Sequence, residues 1–432
     1  MKHVLIIGNG IGGITAARHI RKHSGFRISV ISDETAHFFS RTALMYIYMG
    51  HMKFEHTKPY EDWFWKKNRI ELIKGRVEQL DVKNKMLRLS DQKEIRYDIL
   101  ILAIGSRPNM FGWPGQDLHG VSGFYSYQDL ERVEQFTKNI SKGVIVGGGL
   151  IGVELAEMLH SRNIPVSMLV REERYWGNVL PEEEARMIEK EIRANKIDLR
   201  LQTELLEILP DEDGRVKAVK TSTGEIIPCG FVGIATGVHP NIDFLKGSGI
   251  ETDKGILVDE YLCTNIPDVY AAGDCAQFRH APPGRKNIEQ VWYTGRMQAE
   301  TLAQTICGNP LKYLPGPWFN SAKFFDVEYQ TYGWVHSELR ENEEALYWEA
   351  GQANKCLKIV FDRKSHEIKG INVFGIRLRH EVCEKWIKSK TRIQEVISSL
   401  HIAHFDPEFH KKHYRDIRKE FAKQLNKEEL QG

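Results

Sequence analysis

The chain has 432 residues, enough for about three domains of ordinary size. Hydrophobic residues make up 41% and charged residues 27%, which is typical of a globular protein and excludes a disordered or collagen-like chain. Sixty Lys and Arg against 58 Asp and Glu leave a formal net charge of +2. Because so balanced a chain has no overall basic field, we expect no nucleic-acid partner.

Cysteine spacing and apolar runs indicate the compartment. The six cysteines are scattered and form no CxxC pair, which favours a reducing compartment over a secreted disulfide framework. The apolar run that follows Lys2 and His3 is too short for a signal peptide, and no stretch reaches the ~18 apolar residues of a membrane helix. We therefore expect a cytoplasmic protein without a membrane span.

The predicted elements alternate between strands and helices from the start of the chain. In order, they are a strand over 4–7, a glycine-rich turn over 8–13, a helix over 14–23, a strand over 27–31, short antiparallel strands between 70 and 90, and a buried strand over 99–104. Such alternation predicts a parallel sheet with flanking helices.

The same order of elements then repeats. It consists of a strand over 143–146, a second glycine-rich turn over 147–152, a helix over 153–161, a strand over 166–170, a meander over 199–228 and a buried strand over 231–235. From about Leu311 the pattern changes to strands over 322–333, 346–350, 356–361 and 368–374, followed by a charged helical tail after Arg379. The sequence predicts two Rossmann-like α/β domains and a C-terminal α+β domain with a helical tail.

The first glycine-rich turn fits the pyrophosphate of a dinucleotide. Gly8-x-Gly10-x-x-Gly13 supplies a tight turn, a bare backbone and close helix–strand packing at a helix N-terminus, where N–H groups attract an anion. A ribose needs an acidic acceptor about 20 residues further on. Asp33 and Glu34 stand at the end of the second predicted strand and are the candidates for that role.

The second turn, Gly147-x-Gly149-x-x-Gly152, predicts another dinucleotide site. Arg171 and Glu172 follow its second strand. An acid there favours the free 2′-hydroxyl of NAD, whereas an arginine accommodates the 2′-phosphate of NADP. The two residues point in opposite directions, so the choice between NADH and NADPH stays open.

With these motifs the chain resembles the pyridine nucleotide-disulfide oxidoreductase superfamily, whose members bind FAD in the first site and NAD(P)H in the second. The segment 264–274, TNIPDVYAAGD, resembles the second FAD signature of that family, which assigns Asp274 to the ribityl chain and adds Gly273 to the cofactor-binding residues. From the residues alone, Asp274 is either a helix N-cap or an acceptor of ligand hydroxyls.

Several further cofactor contacts follow from the same resemblance. The segments ending in Ala103-Ile104-Gly105 and in Gly237 resemble the hinges between the nucleotide domains, with Ile104 where threonine is usual. Gly147–Glu154 matches GGGxIGxE, which places Glu154 beside the nicotinamide and flavin. A later segment resembles the helix start near the flavin pyrimidine and adds Glu289, Gln290 and Trp292.

The resemblance also indicates the reaction. Disulfide-reducing members carry a redox cysteine roughly ten residues past the ribose acid, but residues 37–46 contain none. The run Phe39-Ser40-Arg41 with Leu44 is similar to ferredoxin, rubredoxin and nitrite reductase flavoproteins, although Tyr46 replaces the lysine that usually pairs with the glutamate. We therefore expect Glu154 and Arg41 to be the catalytic-site residues, with Arg41 as a possible partner of Glu154.

The implied domains are an FAD-binding domain over 1–112 and 238–310, an NAD(P)H-binding domain over 113–237 and a C-terminal interface domain over 311–432 that supports a homodimer. The implied function is hydride transfer from NAD(P)H to flavin N5 and electron delivery to a carrier protein such as ferredoxin or rubredoxin. An NAD(P)H oxidase or quinone reductase is the first alternative, and a flavoprotein whose nucleotide state controls partner binding is the second.

The helical tail carries residues of a metal-binding type. These are His401, His404, Asp406, His410 and His413. Because Pro407 interrupts the helix between them, we predict a solvated cluster and no metal site. Basic groups around 411–419 are either an ordinary charged face or a surface for an acidic partner.

Overall fold

A computed structural model describes residues 1–351, 354–405 and 412–429. The chain forms two compact units. Unit 1 comprises Met1–Gly112, Gly120–Asn139 and Ile234–Pro315, and unit 2 comprises Trp113–His119, Ile140–Gly233 and Gly316–Gly432. The boundaries of these units differ from those of the four functional segments predicted above. The functional segments remain a prediction.

The strands of the first half are β1 (His3–Ile7), β2 (Arg27–Ser32), β3 (Ile70–Lys74), β4 (Val77–Asp81), β5 (Met86–Leu89), β6 (Glu94–Arg96), β7 (Ile99–Leu102), β8 (Ser106–Pro108), β9 (Val121–Ser122), β10 (Gly143–Val146), β11 (Val166–Leu169) and β12 (Asp198–Arg200). Those that follow are β13 (Leu205–Pro210), β14 (Val216–Thr221), β15 (Ile226–Pro228), β16 (Phe231–Ile234), β17 (Val238–Pro240), β18 (Ile256–Val258), β19 (Val269–Ala271), β20 (Ala276–Phe278), β21 (Phe319–Phe324), β22 (Val327–Gly333), β23 (Glu343–Glu349), β24 (Cys356–Asp362) and β25 (Ile368–Phe374).

The α-helices are α1 (Ile11–His23), α2 (Leu44–Tyr48), α3 (Asp62–Lys67), α4 (Tyr127–Phe136), α5 (Leu150–Ser161), α6 (Glu182–Ala194), α7 (Trp292–Ile306), α8 (His380–Lys388), α9 (Ile393–Ala403) and α10 (Tyr414–Glu429).

The main sheet of unit 1 is parallel and has the strand order β19-β7-β1-β2-β3. Its central strand β1 is apolar and buried from Val4 to Ile7, as expected for a strand covered on both faces. The carboxyl ends of β1 and β7 therefore lie side by side, and the loops that leave them carry the first glycine turn (8–13) and the predicted hinge at 103–105.

Helix α1 covers this sheet through its small and branched residues, and its last turn is basic, which suits the negative end of the helix dipole. Helix α7 packs along α1. The contact is close at Gly295, where a Cβ would stand 3.4 Å from the Cα of Gly273 and 3.5 Å from the Ile11 side chain. The start of α7 is thereby fixed next to both cofactor motifs of unit 1.

Unit 2 contains a second nucleotide-type sheet with the order β12-β11-β10-β16, in which β10, β11 and β12 run parallel. An antiparallel three-stranded sheet, β13-β14-β15, follows. The C-terminal part of this unit contains an antiparallel sheet with the order β21-β22-β25-β24-β23. Residues of this sheet and of α8, α9 and α10 together form a hydrophobic core.

Three details of the predicted elements are wrong. The meander over 199–228 is antiparallel only from β13 onward, because β12 pairs parallel with β11. The strands between 70 and 90 are not all antiparallel, because β3 runs parallel to β2. Helix α3 precedes β3 and reverses the chain, so that β3 re-enters the main sheet in the direction of β2. The predicted strand over 322–333 is two antiparallel strands, because a tight turn at Phe325, with φ of 52°, separates β21 from β22.

Within the part of the chain that the structure describes, no helix combines the length and the apolar character needed to cross a membrane.

Candidate active site

Of the three motif glycines in the first turn, the fold requires Gly8 and Gly13 but not Gly10. Gly8 has φ of +105°, and a Cβ there would stand 2.0 Å from the carbonyl oxygen of Ala103. A Cβ on Gly13 would stand 1.9 Å from the carbonyl oxygen of Gly8. A Cβ on Gly10, in contrast, would meet no protein atom within 4 Å. The space next to Gly10 is therefore open for a ligand.

The N-terminus of α1 provides the charge complement for a phosphate. Gly10 is its N-cap, no side chain caps the helix, and the first turn holds no acidic residue. Its first N–H groups and the positive end of the helix dipole thus have no competing anion among the helix's own residues. The turn consequently fits the FAD pyrophosphate.

The two candidate ribose acids differ in their surroundings. Asp33 is exposed, and its backbone carbonyl accepts a hydrogen bond from the Lys74 ammonium at 2.7 Å. Glu34 is half-buried and receives two hydrogen bonds from Arg41, at 2.8 and 2.5 Å, and one from the N–H of Tyr127 at 2.9 Å. Its second oxygen, Oε2, has room for one more donor, so Glu34 is the better candidate for the ribose.

Arg41 is held entirely by groups of unit 1. Besides the ion pair with Glu34, the guanidinium donates to the carbonyl of Tyr125 at 2.6 Å and lies 4.6 Å from the centroid of its ring. Burial acts to lower the pKa of Arg41, but the hydrogen bond and the charge of Glu34 outweigh it and raise the pKa. The pairing of Arg41 with Glu154 stays a prediction.

Asp274 lies at the centre of a polar network at the carboxyl ends of the strands. Its carboxylate accepts a hydrogen bond from the Tyr125 hydroxyl at 3.1 Å, and the N–H of Ser106 donates to the same hydroxyl at 3.0 Å. The amide of Gln290 donates to the Ser106 hydroxyl at 2.7 Å. Burial raises the pKa of Asp274, whereas Tyr125, Arg41 and Ser106 lower it.

The possibility that Asp274 opens a helix is wrong. It occupies a turn between β19 and β20, because the residues after it are extended and β20 pairs with β18. Its carboxylate is therefore not used as a helix cap. Gly273 before it has φ of +85°, and a Cβ there would meet no atom within 4 Å. An open backbone beside a half-buried carboxylate fits a ligand that carries hydroxyl groups, such as the ribityl chain.

The hinge segments are joined within unit 1. Strand β8 pairs with β17 in an antiparallel ribbon, and Gly105 and Gly237, with φ of +66° and +91°, lie just before these strands. The carbonyl of Gly105 accepts from the N–H of Asn241 at 3.0 Å, and that of Gly237 accepts from Asn109 at 3.0 Å. Both glycines adopt the left-handed conformation that favours glycine.

The three residues predicted at the start of α7 separate in the structure. Gln290 belongs to the Asp274 network described above. Glu289 is buried and forms an ion pair with Arg285 at 2.7 and 2.5 Å, and the Thr294 hydroxyl donates to it at 3.1 Å. Trp292 begins α7 and is half-buried. The structure gives Glu289 a packing partner, and its flavin contact stays a prediction.

The second glycine turn repeats the geometry of the first. Gly147 has φ of +115°, and Gly149 is the N-cap of α5, where a Cβ would meet no atom within 4 Å. Helix α5 has no side-chain cap and no acidic residue in its first turn, and Gly152 is buried inside that turn. This end of unit 2 therefore also fits a pyrophosphate.

Glu154 lies one turn into α5. Burial, with a smaller contribution from the charge of Glu157, raises its pKa to about 7. Tyr175 is fully buried, and its hydroxyl lies 3.5 Å from the carbonyl oxygen of Gly149. Burial and the charge of Glu154 raise the pKa of Tyr175. Glu154 is thus the carboxyl group near the second glycine turn that changes charge near neutral pH.

The two residues predicted to read the 2′ position contact each other. The guanidinium of Arg171 donates to Glu172 Oε1 at 3.0 Å, and the Asn178 amide donates to the same oxygen at 3.3 Å. The Arg171 side chain is 69% exposed and that of Glu172 is 27% exposed. Glu172 is the less exposed of the two and accepts both hydrogen bonds, whereas Arg171 is largely exposed.

All six cysteines are among the described residues and carry free thiols. Cys275, next to Asp274, is buried, and its thiol lies 3.4 Å from the carbonyl oxygen of Leu102. Burial raises its pKa to about 12, which suppresses the reactive thiolate. The segment 37–46 forms a short 3₁₀ turn at Arg41–Ala43 and the start of α2.

Asp406, Pro407, His410 and Lys411 lie outside the described residues. In the rest of the chain, no group of three or more His, Cys, Asp or Glu side chains is arranged to hold a metal ion. His404 and His413 are close, since the N–H of His413 lies 3.5 Å from Nε2 of His404.

Sequence reasoning missed Tyr125 and Ser106. Tyr125 is 84 residues from Arg41 and 149 from Asp274 along the chain, and no glycine motif or charge pattern marks it. Ser106 directly follows the hinge glycine Gly105, so the motif could have predicted that it lies near the site. Its hydrogen bonds to Tyr125 and Gln290 could not be predicted from the motif.

Comparison with known proteins shows the family of this chain. A family model described as pyridine nucleotide-disulphide oxidoreductase matches residues 2–299. The ferredoxin reductase subunit of 5,5'-dehydrodivanillate O-demethylase from Sphingobium sp. is 31% identical over 370 residues, covering 84% of this chain and 88% of that protein. An NADH oxidase from Methanocaldococcus jannaschii is 30% identical over 324 residues, covering 72% of this chain and 71% of that protein.

Among solved structures, a ferredoxin reductase from Rhodopseudomonas palustris has a similar fold, with a TM-score of 0.79 at 24% identity, covering 87% of this chain and 91% of that chain.

Proposed function

Because this chain belongs to the pyridine nucleotide-disulphide oxidoreductase family and is an FAD-dependent NAD(P)H oxidoreductase, we propose that it delivers electrons from NAD(P)H to a small carrier protein such as a ferredoxin or rubredoxin. The observation that supports this most is the lack of a reactive thiol at residues 37–46 and next to Asp274. Two dinucleotide sites are present, but residues 37–46 hold no cysteine, and the thiol nearest to Asp274 in sequence, Cys275, is buried with a raised pKa. Neither residues 37–46 nor Cys275 therefore supplies a thiolate for disulfide chemistry.

The proposed FAD-binding residues belong to unit 1. The first glycine turn and the N-terminus of α1 bind the pyrophosphate, Glu34 accepts a ribose hydroxyl, and Asp274 accepts a ribityl hydroxyl. Arg41 orients Glu34 through two charge-assisted hydrogen bonds. FAD held by these residues would supply the redox chemistry, as a hydride acceptor for NAD(P)H and an electron donor to the acceptor.

The proposed NAD(P)H residues belong to unit 2. The second glycine turn binds the pyrophosphate, and Arg171 and Glu172 contact the 2′ position of the ribose. Glu154 contributes a carboxylate whose negative charge favours the nicotinamide as it becomes cationic on losing hydride. Because its pKa is about 7, this contribution grows as the pH rises through neutrality.

An anaerobic titration tests the function. NADH and NADPH are added in turn to the flavin-loaded protein, and we expect at least one of them to bleach the visible absorbance of the flavin. The reduced protein is then mixed with oxidised ferredoxin and rubredoxin, whose spectral change reports electron delivery. Failure of both nucleotides to bleach the flavin contradicts the proposal.

An NAD(P)H oxidase or quinone reductase is the second candidate, supported by the similarity to the NADH oxidase from Methanocaldococcus jannaschii. This function needs the same two dinucleotide sites but no carrier protein. Rapid oxygen or quinone turnover, with no transfer to any carrier protein in the panel, favours it over the leading proposal.

We also propose a cytoplasmic homodimer. The compartment is supported by six free thiols, and the dimer is supported by the resemblance of the C-terminal region to the family's interface domain. Sedimentation at several protein concentrations tests the oligomeric state, and a concentration-independent monomer contradicts it.

A further inference from the structure

Tyr125 lies where several polar groups of unit 1 meet. The N–H of Ser106 donates to its hydroxyl at 3.0 Å, and that hydroxyl donates to Oδ2 of Asp274 at 3.1 Å. Its ring faces the Arg41 guanidinium at 4.6 Å, and its carbonyl accepts from the same group. Tyr125 thus contacts the arginine that orients Glu34 and the aspartate proposed for the ribityl chain.

The backbone around Tyr125 is shaped to admit its hydroxyl. A Cβ on Gly105 would stand 2.9 Å from that oxygen, closer than an ordinary carbon–oxygen contact. Gly105 therefore serves two purposes, since it adopts a φ of +66° and also leaves room for the phenol. The hydroxyl is fixed from both sides, by the N–H of Ser106 and by the carboxylate of Asp274.

We propose that Tyr125 is a positioning residue of the flavin site, whose hydroxyl holds the Asp274 carboxylate in the orientation that binds a ribityl hydroxyl of FAD. This rests on the proposed binding of FAD at the first glycine turn. A carboxylate that turns about its Cα–Cβ and Cβ–Cγ bonds must lose that freedom when it binds a hydroxyl, and a fixed donor removes much of that cost beforehand.

The charges around Asp274 give the proposal a second consequence. Burial raises the pKa of this carboxyl, and the groups that oppose burial are the Tyr125 hydroxyl, the Arg41 guanidinium and Ser106. Cys275 is another titratable neighbour, and burial favours its neutral form by raising its pKa to about 12. Removing the Tyr125 hydroxyl therefore moves Asp274 towards its protonated form, which is a weaker acceptor for the ribityl chain.

The test measures FAD binding rather than turnover. The full-length protein is freed of flavin and titrated with FAD at pH 6 and pH 8, and the quenching of flavin fluorescence gives the dissociation constant. We expect Tyr125→Phe to bind FAD about tenfold more weakly than wild type at pH 8, the scale of one hydrogen bond to a charged acceptor, with a loss at pH 6 that is at least as large. Tyr60→Phe removes a hydroxyl elsewhere in unit 1 and serves as the matched control, with unchanged affinity expected.

A double-mutant cycle shows whether Tyr125 acts through Asp274. In the Asp274→Asn background, Tyr125→Phe should cost less than about twofold in FAD affinity, because the carboxylate it positions is gone. Unchanged affinity of Tyr125→Phe, or an equal loss in both backgrounds, overturns the proposal. Thermal unfolding verifies that each variant is folded. A wild-type protein that binds no FAD overturns the cofactor assignment itself, which keeps the two failures distinct.

Discussion

Alanine substitutions at Gly10 and Gly13 should separate ligand binding from folding at the first glycine turn. The two positions belong to one motif, but a methyl group meets different surroundings at each. At Gly13 the new Cβ would stand 1.9 Å from the carbonyl oxygen of Gly8 and 3.2 Å from the Ile6 side chain. The first distance is ~1.5 Å shorter than an ordinary contact, so the turn or the helix must move.

At Gly10 the same methyl group meets no protein atom within 4 Å, and the backbone angles of φ −70° and ψ −173° suit any residue. We therefore expect Gly13→Ala to lower the free energy of unfolding by about 3 kcal/mol or more. Gly10→Ala should lower it by less than about 1 kcal/mol, the scale of a weak change at a helix N-cap. The methyl group of Gly10→Ala does, however, occupy the space proposed for the pyrophosphate.

The clash between this methyl group and bound FAD should cost about 1–3 kcal/mol of binding free energy, the usual cost of overpacking. Gly10→Ala should therefore lose roughly 5-fold to 150-fold in FAD affinity. Urea unfolding of the flavin-free protein gives the stability, and fluorescence quenching gives the FAD dissociation constant. Gly25→Ala is the control, because Gly25 also has open space around its Cβ position but lies beyond the C-terminus of α1. Wild-type FAD affinity in a folded Gly10→Ala variant, or wild-type stability of Gly13→Ala, would refute the reasoning.

Three further predictions concern unit 2. The pKa of Glu154 is raised to about 7, so the rate of flavin reduction by NAD(P)H in anaerobic stopped flow should rise as the pH passes from 6 to 8. The Glu154→Gln variant should be about tenfold slower at pH 8, and its rate should not depend on pH. A pH-dependent rate in the variant contradicts this role. Glu184 is fully buried, its Oε1 has no hydrogen-bond partner among the described residues, and burial raises its pKa from 4.5 to about 8. The folded state keeps this proton between pH 4.5 and 8 while the unfolded state loses it, so the free energy of unfolding of the wild type should fall as the pH rises across that window. The stability of Glu184→Gln relative to wild type should be roughly 1–3 kcal/mol higher at pH 8 than at pH 5, as measured by urea unfolding. An equal difference at both pH values argues against this prediction. Glu172→Ala removes the proposed acceptor for the 2′-hydroxyl and the hydrogen-bond partner of Arg171. The ratio of kcat/KM for NADPH to that for NADH should therefore rise about tenfold. An unchanged ratio shows that Glu172 does not contact the 2′ position.

The glycine turns could be located from the sequence because their chemistry is local. A helix N-terminus without a side-chain cap and a glycine pattern directly before it are encoded within six residues, and the structure shows both features at Gly8–Gly13 and at Gly149. The parallel sheets followed from the same local pattern, since strands alternating with helices predict them. The absence of cysteine from residues 37–46 was also visible in the sequence alone.

The structure was needed to rank residues that looked equivalent. Asp33 and Glu34 are adjacent acids just after one strand, yet Glu34 is half-buried and pairs with Arg41, whereas Asp33 is exposed where the chain bends. Glu289 and Gln290 are likewise neighbours, but Glu289 is buried against Arg285 while Gln290 reaches Ser106. A motif identifies the segment, and the direction of each side chain depends on what packs against it.

The sequence by itself determined the two dinucleotide-binding turns, their order along the chain and the absence of a redox thiol, because these depend on residue identity and on backbone geometry over short spans. Tertiary structure decided which groups meet at Asp274. Tyr125 approaches from 149 residues away, and its hydrogen bond forms only where the sheet brings the ends of β7 and β19 together. Burial likewise sets the charges of Asp274, Glu154 and Cys275, and it follows from packing that no local pattern records.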